Sequence, residues 1–499
     1  MDQEQILSPK LILSFVLGYF ALLLAVAWYT GRKSSNQSFF IGSKSSPWYL
    51  VAFGMIGASV SGVTFISIPG AVGNAASPNF AFSYMQMALG YVLGYVVIAL
   101  VLMPLYYRLN LTSIYTYLEQ RFGTFSHKTG ATFFLISRTI GSAFRLYLVA
   151  IVLQMFVFDH WGLPFVFTVA FTLLLIWIYT RKGGIHTVVW TDILQTIFML
   201  LSVVITIYYI SSDMGLSVGE LVNLVADSQY SQMFFWDPKA DSYFWKQFIG
   251  GALIAIAMTG LDQDMMQKNN SCKNIGEAQL NMFSSSFVFL FANLLFVSVG
   301  AMLYLYAASK GIAIPEKTDY LFPTLAFKYF TPFAGIVFII GLIAAAYSSV
   351  DSALTALTTS VCVDLLGFEK EQLKTEAQLQ QTRERVHIGV TMVMFLVVVA
   401  FKYVLSADVV SALFKIAGFT YGPLLGLFTF GILTKRSIQD NLAPLVCIAA
   451  PVICVILNAN SAQWFGGYKF GIEILLLNGG LTFVGLWLIS KRGELVVGR

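Results

Sequence analysis

Thirteen stretches of this chain stay apolar for close to twenty residues: 11–29, 47–73, 80–107, 131–156, 162–179, 186–211, 244–266, 279–308, 331–362, 387–405, 409–433, 442–459 and 468–490. A helix needs about 20 apolar residues to cross a bilayer. Hydrocarbon admits only segments whose backbone groups are bonded internally, which leaves helices and closed barrels. The pattern predicts an all-α integral membrane protein with about 13 transmembrane helices. Composition agrees, since 57% of the residues are hydrophobic and 11% charged, against roughly 25% charged in a soluble domain. The net charge of +5 is spread over loops, which argues against nucleic acid. Cys272, Cys362, Cys447 and Cys454 show no paired spacing and suggest neither a disulfide framework nor a metal cluster. The short acidic N-terminus lacks a basic n-region, so the first apolar stretch reads as a retained span.

Loop charge sets the expected orientation. One set of loops holds Arg32, Lys33, Lys44, Arg108, Arg121, Lys128, Arg181, Lys182, Lys268, Lys273, Lys370, Lys374, Arg383, Arg385, Lys435, Arg436, Lys491, Arg492 and Arg499. The other holds Lys10, Lys239, Lys246, Lys310, Lys317, Lys328, Lys402 and Lys469. The richer side faces the cytoplasm, which places the N-terminus outside and the C-terminus inside. The segment "FEKEQLKTEAQLQQTRERV" reads as a helix on the inner surface, and 108–125 as a short amphipathic one. The aromatics of "DSQYSQMFFWDP" either cover an outer vestibule or anchor at the interface.

Polar residues inside spans carry the functional signal. From Gly341 the chain reads "GLIAAAYSSVDSALTALTTS". At helical spacing Ala345, Ser348, Ser352, Thr355 and Thr359 share a face, flanked by Ser349 and Asp351. Back-bonding to the helix and close packing account for Thr355 and Thr359. Ser348, Ser349, Asp351 and Ser352 together offer the hydroxyl and carboxylate oxygens that a small hard cation such as Na+ takes. In 47–73, "GMIGASVSGVTFISIPG" suits either a broken helix that frees carbonyls near Gly57 and Val60 or a kinked packing helix. The segment 244–266 is interrupted by "IGG" at Ile249–Gly251 and ends near Asp262, Gln263 and Asp264. Each heads a run of five spans, 47–211 and 244–433, the pattern of a 5+5 inverted repeat, although no residue-level similarity joins the halves. Asp192 lies roughly 9 Å inside span 186–211. Arg138 and Arg145 share one face of span 131–156, and Arg145 is too deep to snorkel, which calls for an acid or an anionic substrate.

These residues resemble the sodium:solute symporter family, which includes the sodium/glucose, sodium/proline and bacterial sialic acid transporters. The resemblance is carried by "SGVTFISIPG", "YLEQRFG", "GGIHTVVWTDILQ", "TGLDQDMMQK", "AAAYSSVDSALTALTTSVCVDLL" and "FTYGPLLGLFTFGIL", and covers nearly the whole chain. It implies a LeuT-type fold with one extra N-terminal helix at 11–29 and two C-terminal helices over 442–490. It implies a main Na+ site from carbonyls of Gly57, Val60 and Ala345 and hydroxyls of Ser348 and Ser349. A second Na+ site, present in some members of the family, would map to Asp192, Ser348, Asp351 and Ser352. The substrate maps to Ser61, Thr64, Gln86 and Gln263, with Arg138 and Arg145 added from their depth. Two departures stand out: Asp351 replaces a serine of the sialic acid transporters, and Gly141 stands where their substrate-binding arginine falls.

The expected activity is Na+-coupled import of a small polar solute, a sugar or sugar acid first, by alternating access. An amino-acid or small-carboxylate symporter is the alternative, and an uncoupled channel the rival class. No nucleophile–base pair argues for an enzyme. The protein is expected to work as a monomer in a bacterial inner membrane.

Overall fold

The computed structural model describes residues 7–30, 39–40, 47–368, 375–404, 409–468 and 470–491. Of the cations used for orientation, Arg32, Lys33, Lys44, Lys370, Lys374, Lys469, Arg492 and Arg499 lie outside the described residues. Each of the thirteen apolar stretches holds a helix or a bent pair of helices. They are α1 (Pro9–Thr30), α2 (Trp48–Ser59), α3 (Val63–Val72), α4 (Tyr84–Arg108), α5 (Thr124–Trp161), α6 (Phe165–Arg181) and α7 (Thr187–Asp213). There follow α8 (Phe244–Gly260), α9 (Gln263–Asn270), α10 (Ile275–Ser309), α11 (Pro332–Leu365), α12 (Glu376–Val404), α13 (Ala412–Thr420), α14 (Gly422–Leu433), α15 (Asp440–Trp464) and α16 (Ile474–Leu488).

Burial separates core from periphery. The apolar windows of α5 and α11 are 83% and 78% buried, those of α12 and α15 only 17% and 22%. Leu396 and Val452 on the outer helices are exposed, as side chains facing lipid must be. The hydroxyl-bearing α11 therefore runs through the centre, packed on α5, α7 and α2. Phe65 of α3 stacks on Phe322 with ring centroids 5.6 Å apart and also meets Phe296 of α10 and Phe338 of α11.

Three spans are broken. The α2–α3 pair bends by 62°, α8–α9 by 64° and α13–α14 by 43°. The first break falls inside "GASVSG", where the sequence is poorest in helix formers: Val60 is extended at φ −82°, ψ 99°. The second differs from expectation. The glycines of "IGG" sit inside continuous helix, and the chain breaks ten residues later, at Leu261 and Asp262. Gly251 instead serves close packing, since a Cβ there would come within 2.9 Å of Met87 Cγ on α4. The third break follows from Pro423, which cannot donate an amide into the preceding turn.

Other details also depart from expectation. The inner-surface helix is, from Glu376, the first turns of α12 itself. Between α4 and α5 the helix is confined to Thr116–Arg121. Between α6 and α7 the chain turns at Gly184, whose φ of 53° and ψ of −147° suit glycine.

Candidate functional site

The break after α2 exposes the carbonyls that end a helix without donors of their own. One hydroxyl of α11 bonds to them, and its neighbour turns to α7. Ser349 Oγ donates to the Ala58 carbonyl at 3.3 Å. Ser348 Oγ donates to Asp192 Oδ1 at 2.5 Å. Gly57 makes the approach possible, because a Cβ there would lie 3.2 Å from Ser348 Oγ and would collide with Thr196 Oγ1. Val60, at the break, and Ala345, on α11, are both buried. Gly57, Ser348 and Ser349 thus come together at the crossing of the broken span and α11.

Asp192 is fully buried on α7. Its Oδ2 accepts a hydrogen bond from Lys268 Nζ at 2.7 Å. Lys268 lies on α9 and is itself buried. Asp351 takes neutral donors: Tyr179 Oη at 2.8 Å and the Ser352 amide at 2.6 Å. Gln195 serves Asp192 alone: its Nε2 donates to Asp192 Oδ1 and to the Thr191 carbonyl, both at 3.2 Å. Among the described residues Ser352 Oγ has no hydrogen-bond partner.

Next to the break lies a partly open cavity of about 640 Å³, open solvent included, lined by Ser59, Ser61, Val63, Thr64, Tyr84, Tyr91, Tyr95, Arg138, Arg145, Ile254, Ala255, Met258, Thr259, Met265, Phe289, Leu413 and Phe414. Ser61, Thr64, Arg138 and Arg145 therefore share one space. The two arginines differ. Arg138 is ion-paired with Asp264, with Asp262 Oδ2 at 3.8 Å. Arg145 is 9% exposed, donates from Nη1 to Ser349 Oγ at 3.0 Å, and has no ion-pair partner among the described residues, its Nε being unbonded.

Gln86 and Gln263 do not line this cavity. Gln86 spends its amide on backbone: Nε2 donates to the Ser242 carbonyl at 2.8 Å, and Oε1 accepts from Phe235 N at 3.1 Å. It pins the aromatic loop across the start of α4. Gln263 donates to the Thr112 carbonyl and accepts from Ile114 N, both at 2.9 Å. Each glutamine holds a loop, a use of buried amides that spacing does not distinguish from ligand binding.

Hydrogen bonds tie down the break that leads into α9. Asp262 caps that helix by accepting from Asp264 N at 3.0 Å and also accepts from Tyr421 Oη at 2.6 Å. Tyr115 Oη donates to the Leu261 carbonyl at 2.8 Å. At the opposite end Phe414 lines both the cavity and a second one bounded by Asp241, Lys246, Lys415 and Glu473.

Sequence reasoning missed Lys268 and the cavity's tyrosines. Lys268 counts as a loop cation until the break at Leu261–Asp262 is known; only then does Gln263–Asn270 become a buried half-helix. Tyr84, Tyr91 and Tyr95 follow one another at helical spacing, the signature of any buried helix face.

Comparison with known proteins places this architecture. The sequence profile described as sodium:solute symporter family matches residues 39–440. The chain is 26% identical over 476 residues to the sodium/sialic acid symporter of Aliivibrio fischeri, covering 92% of this chain and 89% of that protein. It is 26% identical to the sodium-coupled monocarboxylate transporter 1 of Xenopus laevis, covering 86% and 67%. It is 27% identical to the human sodium/iodide cotransporter, covering 83% and 65%. The structure of a Na+-coupled sialic acid symporter in a substrate-bound outward-open state superposes with a TM-score of 0.80 at 20% identity, covering 97% of this chain and 99% of that one. The fold is of the LeuT type.

Proposed function

The chain belongs to the sodium:solute symporter family, and from that premise we propose that it imports a small organic anion, a sugar acid first, held in the cavity beside Arg145. Sodium-coupled symport of small solutes is the family's activity. The Na+ that drives it would be held by carbonyls of Gly57, Val60 and Ala345 and hydroxyls of Ser348 and Ser349. These oxygen donors suit a hard alkali cation, and their convergence at an unwound helix is how such transporters hold coupling ions.

The observation that carries the substrate class is Arg145. A buried cation without a carboxylate is costly, and this one faces a cavity. A solute carboxylate would supply the missing charge through a charge-assisted, two-pronged hydrogen bond. Ser61, Thr64, Tyr84 and Thr259 line the same space and can serve a solute's hydroxyls. Two of the similar proteins, the sialic acid symporter and the monocarboxylate transporter, are named for carboxylated solutes. A small monocarboxylate is thus the second reading, and it satisfies the same guanidinium.

Coupling follows from geometry. Na+ fixes the end of α2, the end of α2 walls the cavity through Ser59 and Ser61, and the cavity holds the solute. For the ion to drive transport it must bind the solute-competent state better than the others. The working cycle would rock the helices of 47–211 and 244–433, as two inverted five-helix units, about the crossing of α2 and α11. We place the chain in a bacterial inner membrane as a monomer, N-terminus outside, with the loops rich in Lys and Arg in the cytoplasm. No catalytic residue is assigned.

The test is a thermal-shift screen of purified protein against sugars, sugar acids, amino acids and monocarboxylates, with and without Na+. Stabilisation by acids only when Na+ is present supports the reading. Stabilisation by neutral sugars alone, independent of Na+, contradicts it.

A further inference from the structure

The family resemblance assigns a second Na+ to Asp192, Ser348, Asp351 and Ser352, yet the chain brings its own cation to that place. Lys268 Nζ lies 2.7 Å from Asp192 Oδ2, and the other carboxylate oxygen is taken by Ser348 Oγ at 2.5 Å. All three residues are at least 99% buried. A buried ammonium requires a carboxylate as partner. It also presents the same unit charge as Na+, at the distance from the carboxylate that a metal ion would have to enter. Two unit positive charges cannot share that space away from water without strong repulsion.

We infer that Lys268 is a tethered substitute for the second Na+, so that this carrier binds one Na+ per chain instead of two. The inference rests on the reading that the main site between α2 and α11 takes Na+. Geometry supports a fixed rather than incidental placement. Lys268 sits on α9, which exists as a separate half-helix because the span breaks at Leu261–Asp262. The same half-helix carries Asp264, paired with Arg138, so α9 is held at two charged points. Asp351 is engaged separately, by Tyr179 Oη and the Ser352 amide.

Equilibrium binding of radioactive Na+ to the purified full-length protein, without solute, tests this. Wild type is expected to bind one ion per chain. Lys268→Ala vacates the Asp192 carboxylate and is expected to bind two, and Asp192→Asn combined with Lys268→Ala returns the count to one. Melting in Na+-free buffer reports folding; should Lys268→Ala not fold, Lys268→Gln keeps a donor for Asp192 and takes its place, with the same expected count of two. Two ions on wild type, or one on a folded Lys268 variant, overturns the inference. No ion on wild type overturns the main-site reading beneath it.

Discussion

Arg145 Nη1 donates to Ser349 Oγ across 3.0 Å, joining the cavity to the hydroxyl pair at the broken helix. One side chain therefore touches both the proposed solute cavity and a proposed Na+ ligand. A guanidinium beside a proposed Na+ ligand opposes the ion; an anionic solute that engages the guanidinium removes that opposition. Solute and Na+ then favour each other reciprocally, as linkage requires.

Arg145→Gln should weaken binding of an acidic solute by about 10- to 100-fold, the range for a lost hydrogen bond to a charged group. Na+ affinity measured without solute should stay the same or rise. Paired titrations of Na+ and solute on both proteins check this; unchanged affinity for an acid would remove Arg145 from the substrate site.

Ser348→Ala and Asp192→Ala should each abolish or strongly reduce Na+-dependent uptake into proteoliposomes. Ser348 donates to Asp192 at 2.5 Å, so each variant leaves the other polar group short of a partner in a dry interior. Circular dichroism should still report a helical fold. Normal uptake by both variants would contradict the site.

Gly57→Ala should lower Na+ affinity without removing an oxygen ligand. The added methyl meets Thr196 Oγ1 and lies 3.2 Å from Ser348 Oγ, so α2 must move off α11 and α7. Overpacking of this kind costs about 1–3 kcal/mol. Adding Thr196→Ala should recover part of the loss, and a Na+ titration of single and double variants reads the recovery.

Cys272, in the turn between α9 and α10, is buried, and burial pushes its thiol up to about 12. Since the thiolate is the reacting form, maleimide labelling should stay slow at pH 7 and rise about tenfold per pH unit below that value, provided α9 stays closed. Faster labelling when solute and Na+ are both present would report opening at this end. Rapid labelling of the resting protein at pH 7 would contradict the closed geometry.

Much of this arrangement can be read from residues alone, and the reasons for the exceptions are physical. Span length is set by the bilayer, so apolar runs locate helices well. The weak helix formers of "GASVSG" leave a broken helix and a kinked packing helix equally open, and the structure shows both uses: the chain breaks at Val60 while Gly57 packs against Thr196. The glycines of "IGG" mislead because small residues also serve close helix contact, and Gly251 does that against Met87. The Ser348–Ser349 pair is legible as an oxygen-rich stripe. Lys268 is not, since a lysine at the edge of an apolar run belongs to a loop unless a break turns the chain back inside. Gln86 and Gln263 share their chemistry with substrate ligands, and only their backbone partners reveal them as loop anchors.

The central claim is that an alkali cation sits between the unwound end of α2 and the two hydroxyls of α11. The most direct measurement is equilibrium binding of radioactive Na+ to the Ser348→Ala/Ser349→Ala double variant beside wild type, with melting in Na+-free buffer as the control for folding. The account predicts a folded variant that melts cooperatively, if at a lower temperature, without Na+ and has lost high-affinity Na+ binding. Wild-type Na+ affinity in a folded double variant would contradict it.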